Sequence, residues 1–140
     1  FHAAHMRSLR SGLPDDLYAR LRGSSDSETL FLLAVAEARA GAEPLAALRR
    51  VARRIRTRVG DGEAQLTMVL GDGVRLAVLR TSTVATTNSL YLARGHPLAP
   101  GGAILASERL DHDPCWEELP VHAGIRMRAE GVEVEPLEAG

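Results

Sequence analysis

The sequence predicts an α+β domain, a helical hairpin followed by antiparallel strands, and three observations lead there. Apolar residues recur at helical spacing in two stretches between residues 26 and 59, separated by Gly41 and Pro44. From Ala64 onward the period of hydrophobicity changes from 3.6 to two. Gly71-Asp72-Gly73 then sits between two alternating segments, a strong hairpin signal. Helices first and an antiparallel sheet afterwards is the α+β pattern.

Taken in order, Pro14 suits a first helical turn, and Asp15 and Asp16 complement the positive helix end, so a short helix is expected from Pro14 to Arg22. Gly23 ends it. Ser25 followed by Glu28 is a capping-box pattern, so the next helix should begin about Asp26, with Leu30, Leu33, Ala34 and Ala38 at helical spacing. Gly41 stops it and Pro44 opens another. There Leu45, Leu48, Val51, Ala52, Ile55 and Val59 form the apolar stripe. Strands are expected at residues 65–70, 74–80, 89–93 and 103–107. A last hairpin, 125–129 with 132–135, turns at Gly131. Residues 81–88 and 95–102 are polar or rich in Gly and Pro and read as loops.

Composition sets bounds on function. At 140 residues, with 45% hydrophobic and 25% charged side chains, the chain is globular and large enough to bury a core without disulfides or metal. Its longest apolar run, Leu30 to Ala36, is far short of the about 20 residues that cross a bilayer, so no membrane partner is expected. The single cysteine, Cys115, cannot form an internal disulfide, and nothing at the N-terminus reads as a signal peptide; both point to a cytoplasmic location. Residues 1–60 carry eleven Arg against six acids and residues 61–140 six Arg against twelve acids, a net of +5 and −6. The near-neutral total argues against a dedicated nucleic-acid binder. All 17 basic residues are Arg, and the chain starts at Phe1 rather than Met, which suggests a piece of something longer.

The most informative stretch is Gly23 to Phe31. Asp26 falls in the first turn of the expected helix, where the helix dipole and nearby N–H groups favour negative charge. Facing a pocket, it would pair with a substrate ammonium through charge-assisted hydrogen bonds; otherwise Asp26 and Glu28 only start a helix. Asp111, His112, Asp113 and Cys115 are ligand-type residues, but they crowd one tight turn with no second CxxC or HxxxH group. That segment reads as a turn closed by Pro114 with Trp116 plugging the core, and no metal is expected. Cys115, beside Pro and Trp with no positioned base, reads as a buried small residue and not a nucleophile. The arginines from Arg49 to Arg58 read as a solvated helix face, with RNA or an acidic partner as the alternative. Gly71-Asp72-Gly73 lacks the spacing of a phosphate loop and is not followed by a helix. His2, His5, His96 and His122 are scattered and read as surface residues.

Three motifs together resemble the class-II glutamine amidotransferases, which are N-terminal-nucleophile (Ntn) hydrolases. They resemble more narrowly the bacterial branch that includes the amidohydrolase of ergothioneine biosynthesis. That branch carries G-(S/T)-(S/T)-D-S-E-x-L-F, matched from Gly23 to Phe31. It carries a strand ending in Arg and then S-L-Y, matched by Arg80 and Ser89-Leu90-Tyr91. It also carries A-S-E-P-L-D-D-D-P-G-W, matched from Ala106 to Trp116, then an acidic residue and a Pro, as in Glu117, Glu118 and Pro120. Arg109 replaces the family's Pro, His112 an Asp and Cys115 a Gly, changes expected to alter packing more than chemistry. The resemblance runs from about Leu9 to Leu137.

The resemblance implies that residues 1–140 are the C-terminal portion of one class-II domain, and so part of a four-layer αββα sandwich. It implies that Asp26 binds the α-amino group of glutamine or a γ-glutamyl compound. It also implies a reaction without metal or organic cofactor, in which a cysteine directly after the initiator Met attacks the γ-amide. That cysteine, a carboxylate-binding Arg and an Asn-Gly oxyanion hole all precede the Asp-Ser-Glu segment in the family, and none has a match here. No catalytic residue is therefore assigned within this chain, which alone is expected to be inactive. The missing N-terminal half of the domain is an expected partner. The alternative is a non-catalytic binding or interaction module, on a decayed relative or an unrelated α+β fold.

Overall fold

A computed structural model describes residues 3–85 and 87–137. Four helices come first: α1 (Ala3–Arg10), α2 (Asp15–Tyr18), α3 (Asp26–Arg39) and α4 (Pro44–Val59). The strands follow: β1 (Gln65–Gly71), β2 (Leu76–Ser82), β3 (Tyr91–Arg94), β4 (Ala103–Ala106), β5 (Trp116–Glu118), β6 (Ala123–Arg128) and β7 (Gly131–Pro136). One antiparallel sheet has the order β1-β2-β6-β7 and a second the order β4-β3-β5. This is the α+β class that the sequence predicts, with α3 and α4 packed together as its helical hairpin.

Strand register explains the layering. Leu70 pairs with Ala77 and Met68 with Leu79, so these side chains share the face that packs on the helices, where Leu45, Leu48, Val51 and Ile55 are buried. Val78, one residue out of phase, pairs with Ile125 and faces the other way, onto Leu90, Leu92 and Leu119. The result is a helical layer, a four-stranded sheet and a three-stranded sheet, three layers holding two cores. Burying each large aliphatic of the α4 stripe contributes about 1.5–3 kcal/mol, far more than helix propensity. Among the described residues no helix covers the outer face of the second sheet. The inter-sheet face is closed over β2 and β6 but open over β1, where Gln65, Thr67 and Val69 are exposed.

Several elements differ from the sequence reading: β3 and β6 begin at Tyr91 and Ala123 and not at residues 89 and 125, and four further differences have a local cause. The expected helix from Pro14 to Arg22 stops at Tyr18, because Arg20 and Leu21 donate to carbonyls only three residues back. Helix α1 was not expected; its eight residues carry no cap signal, yet they place Leu9 in the core with Met6 against it. Strand β2 starts at Leu76 and not Val74, since the Asp72 carboxylate accepts from the N–H groups of Val74 (3.0 Å) and Arg75 (2.7 Å) and holds both in the turn. Those bonds and the Arg75 side chain bring the Asp72 pKa down to about 2, and Gly73 supplies the positive φ of 90°. Finally, Trp116 is buried but plugs neither core: as the first residue of β5, paired with Ala93, it lies on the face opposite Leu92, with its ring against His96.

The layers are also joined by charge. Glu43 caps α4 by accepting from Leu45 and Ala46 N–H, and its other oxygen lies 3.7 Å from Arg126 Nε on β6. Arg126 donates to Glu135 on β7 at 2.6 Å, and Arg49 of α4 pairs with the same carboxylate. Arg126 first, with Arg49 behind it, holds the Glu135 carboxyl below its usual range.

Close approach of α4 to the sheet requires Gly124. A Cβ there would lie 2.9 Å from Leu45 Cδ2 and 3.2 Å from Leu137 Cδ2. Gly124→Val is therefore expected to destabilise the fold by about 1–3 kcal/mol through overpacking. Chemical denaturation with an unchanged m-value checks it, and a wild-type midpoint would show that α4 can slide away.

Candidate functional site

The N-terminus of α3 is built by side chains that claim its unpaired N–H groups. Ser25 Oγ accepts from Glu28 N–H at 3.1 Å, as the sequence predicts. Glu28 does not return the bond to Ser25, as a capping box would. Its carboxylate reaches further back and accepts from Arg22 N–H (2.8 Å) and Gly23 N–H (2.9 Å). Those two bonds hold its carboxyl below the usual range. Thr29, fully buried, accepts from Arg10 Nε at 3.1 Å and ties α1 to this corner.

Asp26 stands one residue into the helix with a different set of contacts. Its Oδ1 accepts from Ser27 N–H at 2.8 Å. Among the described residues its Oδ2 has no hydrogen-bond partner. The half-buried carboxylate borders a cleft of about 270 Å³ between α3 and β1, lined also by Leu30, Phe31, Leu66 and Met68. Phe31 and Val69 remain about half exposed at its rim. A carboxylate at a helix start, tied through one oxygen and open through the other, can take a cation of ammonium size by a charge-assisted hydrogen bond.

The Asp111–Trp116 turn is built around Asp111. Its Oδ1 accepts from Asp113 N–H (3.0 Å) and Trp116 Nε1 (2.9 Å), and its Oδ2 lies 3.0 Å from His96 Nε2. The bond from Asp113, then that from Trp116, keeps the Asp111 carboxyl below its usual range. His96 is not the surface residue that the sequence suggests: it is 1% exposed, its ring 5.4 Å from that of Trp116. Nothing in its local sequence carries this, because its partners lie fifteen and twenty residues further on. The other histidines differ less: His5 and His122 are half-buried, His122 with its Nδ1 2.8 Å from Thr81 Oγ1, and His2 lies outside the described residues.

Ligand-type atoms of His96, Asp113 and Cys115 come within 4.8 Å of one another. They are already committed to each other and to the backbone. Nδ1 of His96 accepts from Leu98 N–H at 3.1 Å, which assigns the ring proton to Nε2 and directs it at Asp111. The Cys115 thiol donates to the Asp113 carboxylate, and that bond, followed by desolvation, raises the thiol pKa to about 11. His112 is exposed and outside the group. The turn is thus a closed hydrogen-bonded unit. Cys115, with its proton held, is a poor nucleophile.

Arg80 is 2% exposed. Its Nη1 donates to the Leu119 carbonyl, its Nη2 lies 3.5 Å from Glu118 Oε1, and its Nε has no partner among the described residues. Ser89 donates to the Ser107 carbonyl at 2.7 Å, and Arg109 stacks 5.2 Å above the Tyr91 ring. These residues join β2 to β5 and β3 to β4, and none borders the Asp26 cleft.

No family model and no curated protein matches the sequence. A solved structure does: a glutamine aminotransferase class-II domain protein from Silicibacter pomeroyi, 27% identical over 96% of this chain, with a TM-score of 0.82. The chain has the fold of that class-II domain protein. It spans 61% of the neighbour's length. Mixed helices and antiparallel sheets here correspond to part of an Ntn-type α+β domain.

One chemical consequence is testable directly. With a pKa of about 11, Cys115 should react with iodoacetamide at pH 8 at least tenfold more slowly than a free cysteine of ordinary pKa. Asp113→Asn should speed the reaction by removing the carboxylate that holds the proton. Equal rates in both proteins would show that the hydrogen bond does not control the thiol.

Proposed function

We propose that residues 1–140 are the C-terminal portion of a class-II glutamine amidotransferase or amidohydrolase domain, and that Asp26 binds the α-ammonium of glutamine or a γ-glutamyl compound. The observation that carries this reading is the Asp26 carboxylate, half-buried at the start of α3, with one oxygen free and facing a cleft. The likeness to the class-II domain protein supports the family.

The nucleophile is assigned outside these residues. Cys115 is disqualified by its held proton, and the neighbour is longer than the matched region. In the complete enzyme an N-terminal cysteine thiolate would attack the γ-carbonyl carbon. The tetrahedral intermediate would collapse with loss of the amine or ammonia, protonated as it leaves. Water would then cleave the resulting thioester to give glutamate and the free thiol. Asp26 takes no part in bond making; it fixes the amino-acid head so that the γ-carbon lies at the nucleophile. The open inter-sheet face over β1, whose edge is unpaired among the described residues and lies beside the cleft, fits a site completed by the N-terminal half of the domain. The ergothioneine-type branch, with a γ-glutamyl compound as substrate and a cytoplasmic setting, is the narrower form of the same reading.

In the complete enzyme Asp26→Asn should lower kcat/KM for a γ-glutamyl substrate by about 10–100-fold, through loss of a charged hydrogen bond of about 1.5–3 kcal/mol. Steady-state glutamate release measures it, and an unchanged kcat/KM would remove Asp26 from the substrate site. Residues 1–140 alone should release no glutamate from glutamine, and turnover by the purified chain would place a nucleophile within it.

A further inference from the structure

Helix α4 holds Arg49, Arg50, Arg53, Arg54, Arg56 and Arg58 and no acidic residue. Arg50, Arg53, Arg54 and Arg58 stand at i, i+3, i+4 and i+8, one stripe on the side away from the Leu48–Val51–Ile55 core face. A solvated helix face ordinarily mixes signs, because like charges four residues apart repel. Here Arg50–Arg54 and Arg54–Arg58 are both such pairs. The helix dipole accounts for basic residues in the last turn, Arg56 and Arg58, but not for Arg50, Arg53 and Arg54.

The structure turns this stripe into one wall of a groove. Helices α1, α3 and α4 and the loop after α1 border an open groove of about 400 Å³, with Leu9, Gly12 and Leu33 among the lining residues and the four arginines and Ser8 along it. Glu37 is the one carboxylate in the lining. It is largely buried and braces two of the arginines, with Oε2 3.1 Å from Arg50 Nη1 and Oε1 3.8 Å from Arg54 Nη1. Arg58 donates to Ser8 Oγ across the groove. Among the described residues the Arg53 guanidinium has no ion pair. Four fixed positive charges against one negative leave the groove with an excess of three.

We propose that this groove binds a short chain of phosphates, free or as the tail of a nucleotide. From Arg50 to Arg58 the stripe is about 12 Å long at 1.5 Å per residue, enough for two or three linked phosphates. Guanidinium groups match phosphate oxygens through paired N–H donors, and Glu37 hydrogen-bonds Arg50 and lies 3.8 Å from Arg54. A nucleic-acid strand fits less well, because none of the lining residues is aromatic and no base could stack there. The groove shares no lining residue with the Asp26 cleft, so the proposal stands independently of the γ-glutamyl reading.

Calorimetric titration of the full chain with inorganic tripolyphosphate, with ATP, and with a ten-nucleotide single-stranded RNA tests this. Saturable binding of tripolyphosphate is expected, weakening with added salt. Arg53→Gln with Arg54→Gln should weaken it at least tenfold, while Arg20→Gln, an exposed arginine away from the groove, should leave it unchanged. ATP binding as tightly as tripolyphosphate supports a site that reads phosphates alone; tighter ATP binding supports a nucleotide site. The double variant relieves repulsion but gives up the Glu37–Arg54 pair, so it should melt close to wild type without ligand, and a matching melt separates lost binding from unfolding. No saturable tripolyphosphate binding at low salt, equal affinity in the double variant, or RNA binding that tripolyphosphate does not displace would each overturn the proposal.

Discussion

The two hydrogen bonds from Arg22 and Gly23 N–H to the Glu28 carboxylate organise this chain. They hold the backbone turn at Arg22 and Gly23 that leads to Ser25, whose hydroxyl caps α3. Helix α4 returns beside α3 and packs on β1 and β2. An anion that stitches a preceding loop to a helix start is favoured because it meets N–H groups that otherwise lack partners.

The same corner shows why two neighbouring acids diverge. Glu28 is satisfied on both oxygens and has structural work only. Asp26 is too short to reach the loop, bonds the first turn with one oxygen, and keeps the other for the cleft. Replacing Glu28 would move the helix start and Asp26 with it, whereas replacing Asp26 leaves the cap intact. Binding and architecture are therefore separable here, although they lie two residues apart.

Much of this was legible in the sequence, and the misses share a cause. Helices α3 and α4, the Asp72 turn and the β6–β7 hairpin are specified by near neighbours: a Ser three residues before a Glu, a Pro in a first turn, a Gly where φ is positive. Helix α1 lacks a cap signal, and its Leu9 and Met6 acquire meaning only against the core that later residues complete. Strand β5 is three residues long and paired to a strand far upstream in the chain, so no local period announces it. His96 is buried by Asp111 and Trp116, contacts that no window around residue 96 contains. The Asp26 side chain was placed correctly at its helix start, but its free oxygen and the cleft beside it depend on where β1 lies.

The motifs behind the family resemblance divide along the same line. Arg80 bridges to the Leu119 carbonyl beyond β5; Ser89 reaches the Ser107 carbonyl; Tyr91 pairs with Ala106 and Glu118; and Trp116 pairs with Ala93 while bonding Asp111. The second and third motifs, distant in sequence, are thus one piece of construction: they assemble the three-stranded sheet and pin it to β2. Arg109 and Cys115, which depart from the family pattern, enter that construction as a cation over Tyr91 and a thiol on Asp113. Such residues specify a fold and leave its chemistry open. Of the matched segments the one from Gly23 to Phe31 lines the cleft, and within it, among the described residues, Asp26 keeps a carboxylate oxygen without a hydrogen bond. The functional reading therefore rests on one carboxylate held at the start of α3, while the fold rests on the many bonds that keep it there.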